Sequence, residues 1–443
     1  MDYNQAFEKL KAIKQEHILA FFDSLSKIKK EMLLNQIDKL DAALFKKQQA
    51  LVFQKEEKKP EIAPCDSAVQ SEFILPDEEA RKMLEEGKIG CLLVAGGQGT
   101  RLEFEGPKGL YLVSPVKKKS LFQIFAEKTI AAGKLAKRLL PLAIMTSEEN
   151  RKETEEFFKE NDYFGLFKNQ IYFFTQKSLP MLTEEGNLFL TNPFSIAKGA
   201  DGNGSSLKQF FDSGIFEKWL KNGVQFVNYV LIDNPLADPF DEKLLFFQSS
   251  QKQDVLIKCI KREDPKENVG VLGKKDGHIS VIEYSEISEN ERFTKNNQGE
   301  LLYPFANISL FSFSMDFIRK AAAHEKEMPL HKAFKQVSKT HLKGWKFERF
   351  IFDVLSFAKN ILLIEYPRQE CFSPLKNKAG RDSLKTVQHD METKDIKIMR
   401  KITTSDAAVL TPFEIAQDFY YPTKELIEKW KKKTIPQKHY IEP

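Results

Sequence analysis

The spacing of apolar residues changes about 85 residues into the chain. Within residues 1–56, apolar side chains recur every three to four positions among lysines and glutamates, which is typical of amphipathic helices. These apolar positions are Leu10, Ile13, Ile18, Phe21, Phe22, Leu25 and Ile28. We predict two or three helices here that dock on a larger domain. Because no strict heptad persists, a coiled-coil arm is the less favoured alternative.

From about residue 88, short apolar runs alternate with amphipathic stretches. This alternation predicts a mostly parallel sheet covered by helices on both faces. The predicted strands are 90–95, 140–146, 171–174, 225–232 and 254–260, and the predicted helices are 120–135, 148–160, 206–221 and 241–250. In residues 269–287, two strand-like runs flank Asp276-Gly277, which predicts a hairpin.

Changes in composition and hydrophobic patterning along the chain also predict its division into domains. Residues 55–67 are charged and contain two prolines, which is typical of a linker. Residues after 380 are charged and weakly patterned, so we expect a small appendage there. We predict a helical segment with a linker over residues 1–85, a main α/β domain over 86–380 and a small C-terminal domain over 381–443.

Composition narrows the class of protein. The net charge of +5, from 68 basic and 63 acidic residues, is small for 443 residues and argues against a nucleic-acid partner. The four cysteines form no CxxC pair, which disfavours zinc and disulfide frameworks and favours a reducing compartment. No apolar run reaches the roughly 20 residues that span a bilayer, and the start lacks an apolar signal core. We therefore expect a cytoplasmic protein with no membrane partner.

The first predicted strand runs into a glycine-rich loop, "AGGQGTRLEFEGPKG", residues 95–109. Ligands of parallel sheets bind beyond the carboxyl ends of the strands, and glycines let the backbone approach a phosphate closely. Arg101 and Lys108 add positive charge. The dinucleotide motif GxGxxG fails here because Leu102 occupies its last position, and GxxxxGK[ST] occurs nowhere in the chain. The loop therefore predicts a phosphate site of another kind.

The pair GGxGTRL and PKG resembles the signature of the sugar-nucleotide pyrophosphorylases. Further segments, in that family's order, resemble its eukaryotic-type UDP-N-acetylglucosamine pyrophosphorylase branch, within the UDP-sugar pyrophosphorylase superfamily. They include "LFQIFAEK" (121–128), "FFTQKSLP" (173–180), "ADGNGS" (200–205), "VLIDNPLADP" (230–239), "FANISLF" (305–311) and "FSPLKN" (372–377). The resemblance spans about residues 85–380. It implies a Rossmann-like nucleotidyltransferase fold with a mixed, mostly parallel central sheet.

The resemblance also implies roles for the phosphate-binding residues. Lys108 would contact the phosphates of UTP, Arg101 its β- and γ-phosphates, and Lys376 the second substrate's phosphate. Gly96 and Gly97 would let the nucleotide approach the backbone. For each cation, a solvated surface position is the alternative.

The resemblance implies further roles in binding the base and the sugar. Gln176 would read the uracil edge, since an amide both donates and accepts, and an ordinary loop glutamine is the alternative. The other implied contacts are Gly202 and Asn203 to nucleotide and sugar, and Gly270, Glu283 and Asn307 to the sugar. The alternatives are a plain turn at Gly202-Asn203 and a solvated carboxylate at Glu283.

Asp233 matches the family's metal aspartate, and Mg²⁺ favours one or two carboxylates plus phosphate oxygens. A strand-end cap is the alternative for Asp233. Asp353 is a candidate for a second metal ligand. The alternative is that Asp353 pairs with a neighbouring cation.

The resulting hypothesis is a Mg²⁺-dependent uridylyltransferase that acts by direct in-line transfer. The seven histidines lie in unrelated contexts, which fits the chemistry because a sugar-1-phosphate is already an ionised nucleophile and transfer depends on positioning and charge neutralisation. N-acetylglucosamine-1-phosphate is the favoured acceptor, and glucose-1-phosphate or a broad range of sugars is the alternative. From another class, the chain could be a catalytically silent binding relative. A monomer or weak homo-oligomer is expected.

Four positions depart from the family's usual residues. They are Glu103, Ala200, Ser205 and Ala306. None removes a proposed cation, metal ligand or uracil contact. A methyl group at Ala306 or an altered loop at Ser205 bears instead on the room for an N-acetyl group.

Overall fold

The computed structural model describes residues 1–54, 60–73, 78–297, 299–337 and 340–443. The chain forms two compact units, each built from separated segments. Unit 1 consists of Met1–Pro60, Gln176–Ser205 and Lys326–Asp353, and unit 2 of Glu61–Thr175, Ser206–Glu325 and Val354–Pro443. The domain boundaries near residues 85 and 380 stay a prediction.

Unit 2 contains the large sheet that the alternating pattern predicts. In spatial order its main path consists of Val69–Gln70, Ile361–Glu365, Val255–Lys261, Phe305–Ser314, Phe226–Leu231, Ile89–Val94, Leu142–Thr146 and Ile171–Thr175. All neighbours on this path are parallel except at Phe305–Ser314, which runs antiparallel to both of its neighbours. The prediction of a mixed, mostly parallel sheet is therefore confirmed.

The predicted hairpin is also confirmed. Strands Val271–Lys275 and His278–Ile282 pair in antiparallel register and join the main sheet through Val271, while Ile62–Pro64 pairs with the outer side of the first strand. Asp276 and Gly277 both have positive φ, at 48° and 82°, which is the backbone that a tight two-residue hairpin turn requires.

The described helices of unit 2 include all four that the sequence predicts, one of them in two parts, and several that it does not. The described helices are Glu78–Glu85, Leu121–Ala136, Arg151–Glu160, Ser206–Asp212, Ile215–Lys221, Glu242–Gln251, Glu289–Phe293, Met315–Ala323, Arg368–Cys371, Leu384–Thr403 and Lys424–Trp430. The predicted helix 206–221 is interrupted at Gly214, whose φ of 78° is left-handed. Strand Leu142–Thr146 is buried at every position, as expected for a strand covered on both faces.

The C-terminal segment is more regular than its weak pattern predicts. It contains the 20-residue helix Leu384–Thr403 and a short parallel pair, Glu414–Ile415 with Tyr440–Ile441. The buried face of the helix repeats every four residues, at Val387, Met391, Asp395, Met399 and Thr403. The apolar stripe was missed because an aspartate occupies its centre.

Asp395 predicts a pH-dependent contribution to stability. Its carboxylate accepts hydrogen bonds from the Tyr420 hydroxyl at 2.6 Å and the Ile415 amide at 3.1 Å. Burial outweighs these bonds and raises the pKa of Asp395 to about 7. A raised folded-state pKa means that the folded protein holds a proton that the unfolded chain has lost, so this stability is present at low pH. It declines between about pH 4 and 7, by up to about 1.4 kcal/mol per pH unit.

Asp395→Asn removes this titration. Relative to the wild type, the variant is expected to gain stability as the pH rises from 5 to 8. Urea unfolding of both proteins at the two pH values measures the difference. A difference between them that does not change with pH would show that Asp395 is ionised throughout this range.

The described residues of unit 1 form the N-terminal helices and three small antiparallel strand pairs. The helices are Tyr3–Lys11, Lys27–Asp38 and Ala42–Phe53, and the strand pairs are Ser178–Pro180 with Lys198–Ala200, Leu190–Asn192 with Ser195–Ile196, and His331–Gln336 with Lys343–Glu348. The prediction of two or three helices is confirmed. Leu10, Ile13 and Ile18 enter the core of the unit, whereas Phe21 and Ile28 are exposed. Within the predicted linker, residues 55–59 lie outside the described residues.

Candidate active site

The glycine loop, residues 96–110, follows strand Ile89–Val94 and closes on itself. The Lys108 amide donates to the Gly97 carbonyl at 3.1 Å, and the Gly99 amide donates to the Gly106 carbonyl at 3.0 Å. At Gly109 a Cβ would lie 2.1 Å from the Phe122 ring, so glycine is needed for close packing. This packing fixes the main chain of the neighbouring Lys108.

Lys108 brings three separate loops together in unit 2. Its Nζ lies 3.8 Å from Asp233 Oδ2 and donates to the Leu375 carbonyl at 3.3 Å. The Leu375 amide in turn donates to the Asp233 carbonyl at 2.7 Å. Asp233 follows strand Phe226–Leu231, which is the parallel neighbour of Ile89–Val94. The carboxylate and the ammonium group therefore meet beyond the carboxyl ends of adjacent strands, where α/β sheets bind ligands.

The remaining residues that the sequence assigns to the phosphate site differ in exposure. A Cβ at the exposed Gly97 would meet no atom within 4 Å, which leaves open space beside its backbone, and the preceding Gly96 is half-buried. Arg101 is exposed in the short turn Thr100–Leu102. Lys376 is half-buried, its amide donates to the Asp382 carbonyl at 2.8 Å, and its Nζ lies 5.7 Å from the Phe372 ring centre.

The three residues assigned to the sugar lie close together in unit 2. The Asn307 amide donates to the Gly270 carbonyl at 2.8 Å, and a Cβ at Gly270 would lie 3.6 Å from Glu283 Oε1. Asn307 sits at a bulge, because the pairing partners of Lys258 and Cys259 jump from Leu310 to Asn307. Bulges redirect side chains and occur often beside active sites.

Gln176, Gly202 and Asn203 belong to unit 1, and there they also lie together. Gln176 Nε2 donates to the Gly202 carbonyl, and Asn203 Oδ1 accepts the Ile351 amide at 3.0 Å. Gly202 has a φ of 70°, and a Cβ there would lie 2.3 Å from the Arg349 carbonyl oxygen. Glycine is thus required at 202 by backbone conformation and by close packing.

Sequence reasoning missed the ion pair that underlies this segment. Asp201 Oδ2 lies 2.7 Å from Arg349 Nη1, and the two side chains are 0% and 4% exposed. The Arg349 amide also donates to the Asp201 carbonyl at 3.0 Å. The two residues are 148 positions apart, so local spacing gives no sign of their pairing.

Asp353, the candidate second metal ligand, pairs with a neighbour in unit 1. Its Oδ2 lies 2.9 Å from His331 Nε2 and accepts the Phe350 amide at 3.1 Å. These contacts favour the alternative in which Asp353 serves a local partner. Among the residues that the structure describes, no three His, Cys, Asp or Glu side chains cluster as a metal site.

Three of the departures from the family pattern have local partners. Glu103 takes the left-handed conformation, with a φ of 55°, and forms an exposed ion pair with Lys378. The Ser205 hydroxyl donates to Asp201 at 2.6 Å. Ala306 is fully buried in the hydrophobic core of unit 2. Serine at 205 and alanine at 306 are thus accommodated by hydrogen bonding and packing.

The described helices include none that is both long and apolar enough to cross a bilayer. This finding applies to the described residues alone.

Comparison with known proteins places the chain in a family. The profile of a family described as UTP–glucose-1-phosphate uridylyltransferase matches residues 40–415. The chain is 33% identical to the Arabidopsis thaliana protein named UDP-N-acetylglucosamine diphosphorylase 2, over 84% of this chain and 80% of that protein. It is 34% identical to the Saccharomyces cerevisiae UDP-N-acetylglucosamine pyrophosphorylase, over 67% of this chain and 66% of that protein.

The fold has a close counterpart among solved structures. The uridine diphosphate N-acetylglucosamine pyrophosphorylase of Trypanosoma brucei, solved with an inhibitor, superposes with a TM-score of 0.82 at 24% identity and covers 99% of this chain and 97% of that one. At this identity the likeness speaks for the fold alone. The matched profile and the curated relatives lead to one conclusion. The chain is an enzyme of the UTP–glucose-1-phosphate uridylyltransferase family, in the branch whose members are named UDP-N-acetylglucosamine pyrophosphorylases.

Proposed function

We propose that the protein transfers the uridylyl group of UTP to N-acetylglucosamine-1-phosphate and releases pyrophosphate. The observation that carries this proposal is the meeting of Lys108, Asp233 and the Leu375-Lys376 segment in unit 2. Lys108, from the glycine loop, lies beside the carboxylate, and the segment that carries the second cation, Lys376, is hydrogen-bonded to both residues through Leu375. Transfer between two anionic substrates requires positive charge of this kind. The names of the curated relatives support the N-acetylated sugar.

The residues present suit a magnesium ion held mainly by substrate. The Asp233 side chain is 16% exposed, and its nearest cation lies 3.8 Å away, beyond hydrogen-bond distance. A carboxylate so placed keeps lone pairs for a ligand. Mg²⁺ usually takes one or two carboxylates plus phosphate oxygens and water, rather than an all-protein cage, so a single aspartate suffices. When bound, Mg²⁺ supplies neutralisation of the phosphate charges.

The side chains provide positioning and charge compensation for an in-line transfer. An oxygen of the sugar phosphate attacks the α-phosphorus of UTP, the bond to the β-phosphate oxygen breaks, and pyrophosphate leaves with the electron pair. Lys108 offsets charge at the nucleotide phosphates, and Lys376 orients the attacking phosphate. Arg101, exposed on its turn, meets the departing β- and γ-phosphates. No general base is needed because the nucleophile is already ionised.

The deciding experiment measures pyrophosphate release from UTP and Mg²⁺ with either N-acetylglucosamine-1-phosphate or glucose-1-phosphate. Faster release with the N-acetylated sugar is expected, because the curated relatives are named for that sugar and because Ser205 and Ala306 are accommodated within the fold. Preference for glucose-1-phosphate would retain the mechanism and overturn the sugar assignment. No release with either sugar would favour the silent-relative hypothesis.

Asp233→Asn tests the metal assignment. Asparagine keeps the size and removes the charge. Since loss of a residue that merely supports a metal ligand lowers metal affinity by about 10- to 100-fold, we expect the Mg²⁺ concentration for half-maximal rate to rise by at least about tenfold. A Mg²⁺ titration at saturating UTP measures it. Asp353→Asn is the matched control, since its carboxylate serves His331 and a backbone amide. An unchanged midpoint for Asp233→Asn would exclude it as a ligand.

A further inference from the structure

Two lysines near the site donate hydrogen bonds only to main-chain oxygens within the part of the chain that the structure describes. Lys128, on helix Leu121–Ala136, is 1% exposed, and its Nζ donates to the carbonyls of Pro235 at 2.6 Å and Ala237 at 2.7 Å. Lys394, on helix Leu384–Thr403, donates to the carbonyls of Leu236 at 3.0 Å and Glu370 at 2.7 Å. Three consecutive carbonyls of one loop are thus held by two ammonium groups.

Burying these two ammonium groups away from carboxylates carries a free-energy cost. Within the described residues, neither comes within 4.0 Å of a carboxylate oxygen, although other buried lysines such as Lys258 do. Burial lowers the pKa of Lys128 well below its usual range, and the charge of Lys394 acts in the same direction. Burial likewise lowers the pKa of Lys394. An apolar side chain would fill the same space without this cost but would leave the carbonyls without donors.

The loop that they hold is the segment that begins with the metal aspartate. We call residues 233–241 the Asp233 loop. At its start, the side-chain Nδ2 of Asn234 donates to the Cys371 carbonyl at 2.7 Å, and its Oδ1 accepts the Ser373 amide at 3.0 Å. Farther along, Asp238 accepts the hydroxyl of Tyr421. The two lysines bind the stretch between these anchors, which starts only two residues after Asp233.

We propose that Lys128 and Lys394 are positioning residues that fix the main chain of residues 235–237 and thereby the direction of the Asp233 carboxylate. This inference rests on the proposed function of Asp233 as the metal ligand. Neither lysine is proposed to touch substrate. Both act through the carbonyls, and their effect is carried along the chain to Asp233.

Hydrogen–deuterium exchange of the full chain, without substrate or metal, tests the positioning directly. In the wild type, the Ala237 amide, which donates to the Asn234 carbonyl at 3.1 Å, is expected to exchange slowly. In Lys128→Met and Lys394→Met, peptides covering 233–241 are expected to exchange at least tenfold faster. Fast exchange of this loop in the wild type would overturn the proposal without any variant. Unchanged exchange in folded Lys128→Met and folded Lys394→Met would also overturn it.

A charge-neutral change in the same core serves as the control. Lys258 is buried like Lys128 but pairs with Asp241 and not with the carbonyls of 235–237. The double variant Lys258→Met/Asp241→Asn is expected to leave exchange at residues 233–237 unchanged. Equal acceleration in the control would mean that any disturbance of this core loosens the loop, which would overturn a specific role for Lys128 and Lys394.

Kinetics then separate this proposal from the proposed function. If the loop loosens, the Mg²⁺ midpoint of the lysine variants should rise about tenfold while the KM for the sugar phosphate stays within twofold. A loosened loop with an unchanged Mg²⁺ midpoint would overturn the link to Asp233. If the wild type transferred no uridylyl group, the proposed function would fail, whereas the exchange data would still decide whether the lysines fix the loop.

Discussion

Replacing Lys108 with alanine is expected to lower kcat/KM for UTP by about 10²- to 10³-fold while the protein remains folded. The magnitude is that of removing one fixed donor from a developing anionic charge, about 2.7–4 kcal/mol. The fold should survive because the side chain is 15% exposed and its partners are one carboxylate at 3.8 Å and one carbonyl at 3.3 Å. Steady-state kinetics with varied UTP, alongside thermal unfolding, measure both quantities.

The size of this effect depends on where the ammonium group lies. The glycine loop fixes the Lys108 backbone through Gly97, and packing at Gly109 prevents it from shifting. A charge held in place needs no rearrangement as the transition state forms, and this preorganisation makes it worth more than a mobile surface cation. Losses in kcat and in kcat/KM should therefore be similar, since the contact strengthens in the transition state.

Lys378→Ala is the matched control for Lys108→Ala. Lys378 belongs to the same region as Lys376, but its side chain is 63% exposed and already paired with Glu103. Such surface pairs contribute little, so its loss should change kcat/KM by less than threefold. Equal losses in the two variants would mean that the general positive field, and not Lys108 itself, assists the transfer. A near-normal rate for Lys108→Ala would show that the glycine loop has been misinterpreted.

The sequence was most informative where chemistry and periodicity coincide. The strand before Gly96 and the strand before Asp233 are apolar runs ending in loop residues, and parallel pairing of the two puts Lys108 beside the carboxylate. The sequence predicts both strands and the residues that follow them, whereas the adjacency of the two strands is seen only in the structure. The turn at Asp276-Gly277 was equally predictable. Its backbone needs positive φ at both positions, and Asp-Gly is a favoured sequence for such a turn.

Long-range polar contacts were not predictable in the same way. Lys128 lies on the apolar helix Leu121–Ala136 and bonds carbonyls more than 100 positions away. The helix Leu384–Thr403 was obscured because Asp395 interrupts its apolar stripe. A buried charge looks like a surface charge in a sequence, and only its partner distinguishes the two.

Arg349→Met is expected to lower the free energy of unfolding of the protein by about 3–5 kcal/mol. The change leaves Asp201, which is fully buried, without the guanidinium that lies 2.7 Å away, and an uncompensated buried charge carries a penalty of this size. Urea unfolding followed by tryptophan fluorescence measures the loss, since Trp345 lies in the same unit.

The charge-neutral double variant Asp201→Asn/Arg349→Met separates burial of a charge from loss of packing. Replacing both partners of a buried pair is often close to neutral, so the double variant should recover most of the stability. Asp201 directly precedes Gly202 and Asn203, which we propose contact the nucleotide, so the UTP affinity of the recovered protein reports on this segment. If stability returns while UTP binding stays weak, the ion pair positions this segment for the nucleotide; if both return, it serves folding alone. A single variant as stable as the wild type would mean that Asp201 is protonated or solvated in the folded protein, and the buried pair would then contribute nothing to the segment that carries Gly202 and Asn203.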